Sequence, residues 1–205
     1  KFMARTQGYT LFLTPTEAVF AMAPDKLGVA RLAETLKNHR GSPSVLRMKM
    51  VGAARSAQIA GGDKAGAVSN YLVGKDPSKW HTNIPQFSRV QYTEIYPGID
   101  LAFHGSEQQA EFDYIVKPQA DARGLKLSFD GAEKIVADAN GDLVLSTKAG
   151  AMRLHKPVAY QEQAGTRTPV EARFALNENQ VTFSIGSYDR SRNLVIDPVL
   201  AYSTY

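Results

Sequence analysis

The chain contains no cysteine, which excludes a disulfide framework, thiolate zinc sites and a cysteine nucleophile. It leaves the redox compartment open. No apolar run approaches the roughly 18 residues that a bilayer span needs, so this segment carries no membrane span. A basic start followed by an apolar block is also missing, and no secretory leader is visible in "KFMARTQGYTLFLT". Such an opening is expected of a segment from inside a longer precursor. Histidine is scarce: His39, His81, His104 and His155 include no i,i+2 or i,i+4 pair, so neither a local zinc pair nor an HExxH helix exists. The GxSxG elbow and the GxxxxGK[ST] phosphate loop are absent as well.

Cationic clustering is a further absence. The net charge is +4 over the whole chain, but Arg5, Lys26, Arg31, Lys37, Arg47 and Arg55 are dispersed rather than gathered on one element with aromatics between them. Nucleic-acid binders concentrate such residues, and a solvated face accounts better for these.

What remains is an ordinary globular composition, 43% hydrophobic and 21% charged, with 205 residues available for one sizeable core or two small ones. Strand signals dominate. "YTLFLT" and "EAVFAMA" flank Pro15-Thr16 as a tight hairpin. "LRMKMVG" alternates, with Leu46, Met48 and Met50 on one face and Arg47 and Lys49 on the other; the methionines read as core filling. "FSRVQYTEI", "IDLAFHG" and "AEFDYIVKP" follow, with "YPG" as a turn between the first two. Short strands continue at steady intervals to the closing "NLVIDPVLAYSTY". This spacing predicts an all-β fold, an antiparallel β-sandwich or two stacked sheets.

One helix is expected as a minor insertion over about 26–40, capped by Asp25 and ended by Gly41. A single helical turn is expected at "DPSKW", where Asp76 accepts orphan N–H groups and Pro77 takes the first position. The small-residue stretch 53–67 reads as a flexible connector. The chain is expected to be one β-rich domain over 1–205, its finer division being two lobes, about 1–67 and 68–205.

Several residues could carry chemistry, and each has a plainer reading. Glu111 and Asp113 share one strand face, as a glycosidase pair would, yet a solvent face opposite buried Phe112, Tyr114 and Val116 is the better account of them. His104 closes a strand on the face of Asp100; a proton-transfer or metal role competes with that of an ordinary turn histidine. "DANGDLVL" alternates oxygen ligands at Asp138, Asn140 and Asp142 but lacks the EF-hand length and its distal Glu. Asn140-Gly141 is instead read as a hairpin turn in which both residues accept positive φ. In "YDRSR", Asp189 is expected to tie a local turn. Trp80 reads as an anchor beneath "DPSKW", and together with His81, Tyr92 and Tyr96 as a possible sugar platform.

The strings "SNYLVGKDPSKWHTNIPQFSRVQYTEIYPGIDLAFHG", "EFDYIVKPQAD", "GDLVL", "HKPVAYQE" and "YDRSRNLVIDPVLAYSTY" resemble an uncharacterised bacterial domain found on the N-terminal side of SBBP (β-propeller) repeats. The resemblance runs from "GYTLFLTPTEAV" to the end. It implies export to the cell surface, and a junction to the first repeat at Asp197, Pro198, Tyr202 and Tyr205. It supplies no catalytic, metal or cofactor residues. The resulting expectation is a non-catalytic structural or presentation module. Its partners would be downstream repeats of the same precursor or neighbouring copies. A carbohydrate-binding module is the alternative, with polysaccharide as the partner, and a glycan hydrolase stands behind both.

Overall fold

The structure, a computed structural model, describes residues 1–6, 8–22, 44–105 and 109–203. The helix expected over about 26–40 lies outside the described residues. In chain order the strands are β1 (Phe2–Arg5), β2 (Tyr9–Leu13), β3 (Glu17–Met22), β4 (Ser44–Met50), β5 (Gln58–Tyr71) and β6 (His81–Tyr96). Next come β7 (Ile99–Gly105), β8 (Gln109–Val116), β9 (Lys126–Asp130), β10 (Lys134–Ala137), β11 (Leu143–Thr147) and β12 (Gly150–Leu154). The last are β13 (Val158–Gln163), β14 (Thr166–Val170), β15 (Ala172–Asn177), β16 (Gln180–Ile185), β17 (Leu194–Asp197) and β18 (Val199–Ser203).

Two antiparallel sheets make an all-β sandwich. The first has the order β1-β2-β3-β4-β9-β16-β15. Its alternation is regular: Leu46, Met48 and Met50 of β4 are buried, whereas Arg47 and Lys49 point outward to ion-pair with Glu17 and Asp130. The β2–β3 hairpin turns at Pro15-Thr16 as expected, tied by Thr14 Oγ1 donating to the Glu17 carbonyl at 3.0 Å. The period-2 pattern and the turn chemistry agree, so the register is well specified.

The second sheet has eleven strands and forks at β8. One edge of β8 pairs β7 along its whole length. The other edge pairs β17 and then β18, from Leu194 opposite Val116 to Val199 opposite Glu111. Asp197-Pro198 bends this edge, and His155-Lys156-Pro157 bends the neighbouring β12–β13 run at the same level. Proline has no N–H to give a ladder, so it is tolerated at such breaks. Beyond the bend the sheet divides, β18 leading to β12, β11 and β10 and β17 to β13 and β14.

A single buried cluster joins both sheets, from Tyr9 and Phe20 through Tyr92, Phe112 and Tyr114 to Leu200. This arrangement corrects the division into lobes. The boundary at 67 falls within β5, and β4 hydrogen-bonds to β9, so the first strands share a sheet with residues beyond 125. The stretch 53–67, read as a connector, supplies most of β5. Its glycines and alanines gave no hydrophobic alternation, and pairing with β6 orders it instead.

The closing strand is paired on both sides. β18 is held between β12 and β8, and Tyr202 donates to the Ala149 carbonyl at 2.7 Å while packing edge-on to Tyr9. At 138–142 the hairpin forms, but only Gly141 has positive φ. With Gly141 N–H donating to the Asp138 carbonyl, the turn is of the three-residue bulged kind rather than the mirror-image two-residue kind.

Candidate functional site

Two features rise above the generic surface: a titratable cluster on the outer face of the forked sheet, and a ribbon that projects from its edge. The cluster follows from strand period. β7 presents His104 beside Ala102, and β8 presents Glu111 and Asp113, while Phe103, Phe112 and Tyr114 enter the core. His104 Nε2 lies 2.8 Å from Asp113 Oδ2, and its Nδ1 lies 3.4 Å from Glu111 Oε2. Continuing the β8–β17–β18 register through the bend sets Asp197 opposite Asp113.

Two acids facing each other across a ladder are unfavourable when both are ionised. Burial, followed by the charge of Asp113, accordingly holds the Asp197 carboxyl above its ordinary range. Asp197 Oδ1 is buried without a hydrogen-bond partner among the described residues. His104 is shifted upward, chiefly by its hydrogen bond to Asp113, with burial and Arg89 opposing. Nearby on β13, burial also raises the Tyr160 hydroxyl, and the Arg167 guanidinium lies 4.3 Å from the Tyr160 ring centroid.

Glu111 and Asp113 therefore share a face as the strand pattern required, and both are turned toward His104. Two open hollows lie elsewhere on the surface. One, of about 420 Å³, is lined by Phe129–Lys134, Ile135, Glu178 and Asn179. The other, of about 240 Å³, lies between Asp121–Arg123 and Phe183–Arg190. Among the described residues, no set of three or more His, Asp or Glu side chains is placed to hold a metal ion, and no helix is long and apolar enough to cross a membrane.

A second polar knot is structural. Asp142 receives the Lys156 N–H at 2.8 Å, Arg153 Nη1 at 3.1 Å and His155 Nδ1 at 3.0 Å, so the 138–142 turn is pinned to the bend before β13. Asp189 accepts from the Ser191 N–H and hydroxyl, the local tie expected of "YDRSR". The buried Gln161 fixes that turn from the other side, donating to the Asp189 carbonyl and accepting its N–H, both at 2.8 Å. Gln161 gave no sign in the sequence, where it is one polar residue in an alternating strand.

The ribbon is the distal part of β5–β6. Near the body, β6 pairs β7, Val90 lying opposite Phe103. β7 ends at Gly105, so the hairpin runs on beyond the sheet to its tip at 72–80. Phe2 packs edge-on to Phe87, and the Arg5 guanidinium sits 5.5 Å from the Tyr71 ring centroid. Val68, Leu72, Val73 and Ile84 remain exposed on the ribbon, Val73 at 74%. The tip holds the expected helical turn over Pro77–Lys79: Asp76 accepts from the Ser78 N–H at 3.0 Å. Trp80 is 37% exposed and donates its Nε1 to the Gly74 carbonyl at 3.1 Å, which makes it the anchor of the turn.

His81, exposed, starts β6 opposite Tyr71. Tyr92 and Tyr96 are core residues, correcting their place in an exposed platform. Tyr92 donates to the Thr14 carbonyl at 2.9 Å and Tyr96 to that of Val51 at 3.2 Å. Both lie at the root of β6, where their rings fill the space between the sheets. Of the four junction residues, Asp197 and Pro198 form the bend and Tyr202 is locked inside the domain; Tyr205 lies outside the described residues.

The molecule is thus an all-β sandwich with a forked sheet, a histidine–carboxylate cluster on its outer face and a projecting ribbon. A family described as "Domain of unknown function (DUF7948)" matches residues 1–199, and the chain belongs to that family. No curated protein matches it.

Proposed function

We propose that this domain is a non-catalytic assembly and presentation module of an exported bacterial surface protein, docking repeat modules of its own precursor or neighbouring copies. The observation that supports this reading best is the ribbon. A two-stranded hairpin alone is marginal in water, and this one displays Val68, Leu72, Val73 and Ile84 to solvent. A partner that covers those side chains removes both costs. The resemblance to domains preceding SBBP repeats supports the identity of that partner and the surface location.

In the precursor, Leu72→Ser combined with Val73→Ser is expected to lower cross-linking between this domain and the repeats at least severalfold, with the unfolding midpoint unchanged. Undiminished cross-linking overturns the docking role. The partly exposed Trp80 favours a second reading, polysaccharide binding. There, Trp80→Ala should abolish retention on an insoluble glycan that retains the native chain, and a native chain retained by no glycan removes that reading.

A further inference from the structure

We propose that the fork of the second sheet is a proton-gated hinge. A proton on His104 and one between Asp113 and Asp197 keep β17 and β18 closed on β8, and loss of both opens them from β8 at the Asp197-Pro198 bend. The opening is local and leaves the rest of the sandwich folded.

The backbone supplies the hinge line. β17 meets β8 over 194–196, and β18 meets it over 199–201. Between these short ladders the Phe112 N–H reaches the Pro198 carbonyl at 3.4 Å, a long bond, and Pro198 has no N–H to return. The neighbouring run breaks at the same level. β12 ends at Leu154 and β13 begins at Val158, with the His155 N–H on the Val199 carbonyl at 2.8 Å and Val158 opposite Asp197. Two short ladders flanking an aligned break open at lower cost than one continuous ladder.

Charge gathers on this line. Asp197 stands opposite Asp113 in the shared register, and His104 lies 2.8 Å from Asp113 and 3.4 Å from Glu111. With both protons bound, the four groups sum to one negative charge. With both gone, three carboxylates face a neutral imidazole. The neighbours offer little compensation. Arg89 of β6 bears on His104, but Arg167 of β14 is bonded to Glu162 and stacked on Tyr160. Lys117 is held by Glu94 and Asp100, and Arg153 and His155 by Asp142. Directly across from Asp197 on β13 and from Glu111 on β18 stand valines, Val158 and Val199. Ionised in the closed fork, Asp197 keeps its buried Oδ1 unpartnered among the described residues, a cost that water removes on opening.

Opening returns both groups to water, where they titrate near about 3.9 and about 6.5. Closure holds both higher, so closing takes up protons and the opening constant rises with pH, by up to about tenfold per unit for each proton released. Native-state amide exchange tests this, with each rate corrected for its intrinsic pH dependence. The reporter is the Phe112 N–H, whose bond crosses the hinge line. Its protection is expected to fall at least about tenfold between about pH 5.5 and about pH 8, which bracket the ordinary histidine value. That exchange should depend weakly on low urea concentrations, whereas amides over 9–13 and 44–50 should show the steep dependence of whole-chain unfolding. His104→Gln combined with Asp197→Asn carries neither proton and should abolish the fall. If that chain does not fold, Asp113→Asn, which removes the partner of both groups, should at least halve the fall on a logarithmic scale. Three results overturn the hinge: constant Phe112 protection across the pH range, a Phe112 exchange as steep in urea as that of 44–50, or a fall that survives the substitutions.

Discussion

At the scale of single residues, His104 is the group whose environment departs most usefully from that of an isolated side chain. Its imidazole faces Asp113 and Glu111 on β8, with Arg89 on β6 and Asp197 on β17 completing the surroundings. Its folded pKa is raised, so the stabilisation it provides is complete below its unfolded value of about 6.5 and is lost as pH rises through the folded value. Asp197 acts in the same direction. Its raised pKa means the folded state binds the proton more tightly, and stability falls as pH climbs from about 3.9 through the raised value. Urea unfolding should therefore show stability declining as pH rises past the ordinary histidine value of about 6.5. His104→Gln should cost about 1 kcal/mol at pH 5.5, a figure reduced by partial exposure, and flatten the upper part of the profile. A variant whose profile superimposes on the native one would show that the His104–Asp113 contact contributes nothing.

The elements differ in how much of their identity is local. β4 and β8 announce themselves by alternation, and their buried rows are the ones the sequence pattern marks. β5 does not, because glycine and alanine carry no hydrophobic signal and its order comes from β6. Its distal part, and the distal part of β6, have no third strand among the described residues. Two-stranded ribbons open easily, so amides over 64–71 and 81–87 should exchange with deuterium at least tenfold faster than those over 90–96 in dilute solution. Equal protection along the whole of β6 would mean that the ribbon is already covered within one chain. At the bends a proline stands in each break, Pro157 and Pro198, but that the two breaks align across neighbouring strands is not legible in the sequence.

For the whole molecule, the decisive fact is that one core is shared by two sheets. β1–β4 reach their sheet partners β9, β15 and β16 only after the chain has built β5–β8, so neither half buries its apolar face alone. Calorimetry should show one cooperative transition with the van't Hoff enthalpy equal to the calorimetric one. Two separable transitions would restore a division near residue 67. Long-range pairing of this kind is costly in loop entropy before it is repaid, which makes a slow-folding chain with exposed edges the expected kinetic behaviour.

By itself the sequence determined the all-β class, the buried rows of β4 and β8, the turns at Pro15-Thr16, Asp76-Pro77 and Asp189, and the sharing of a face by Glu111 and Asp113. Each of these follows from a periodicity of two or from a side chain reaching a backbone group a few residues away, information contained in a short window. Only the tertiary structure decided that Tyr92 and Tyr96 are core rather than surface, that β18 is enclosed rather than free, and that Asp197 faces Asp113 across a fork. Those outcomes depend on which strand lies beside which, and strand order joins residues from 9 to 202 through contacts that no local pattern encodes.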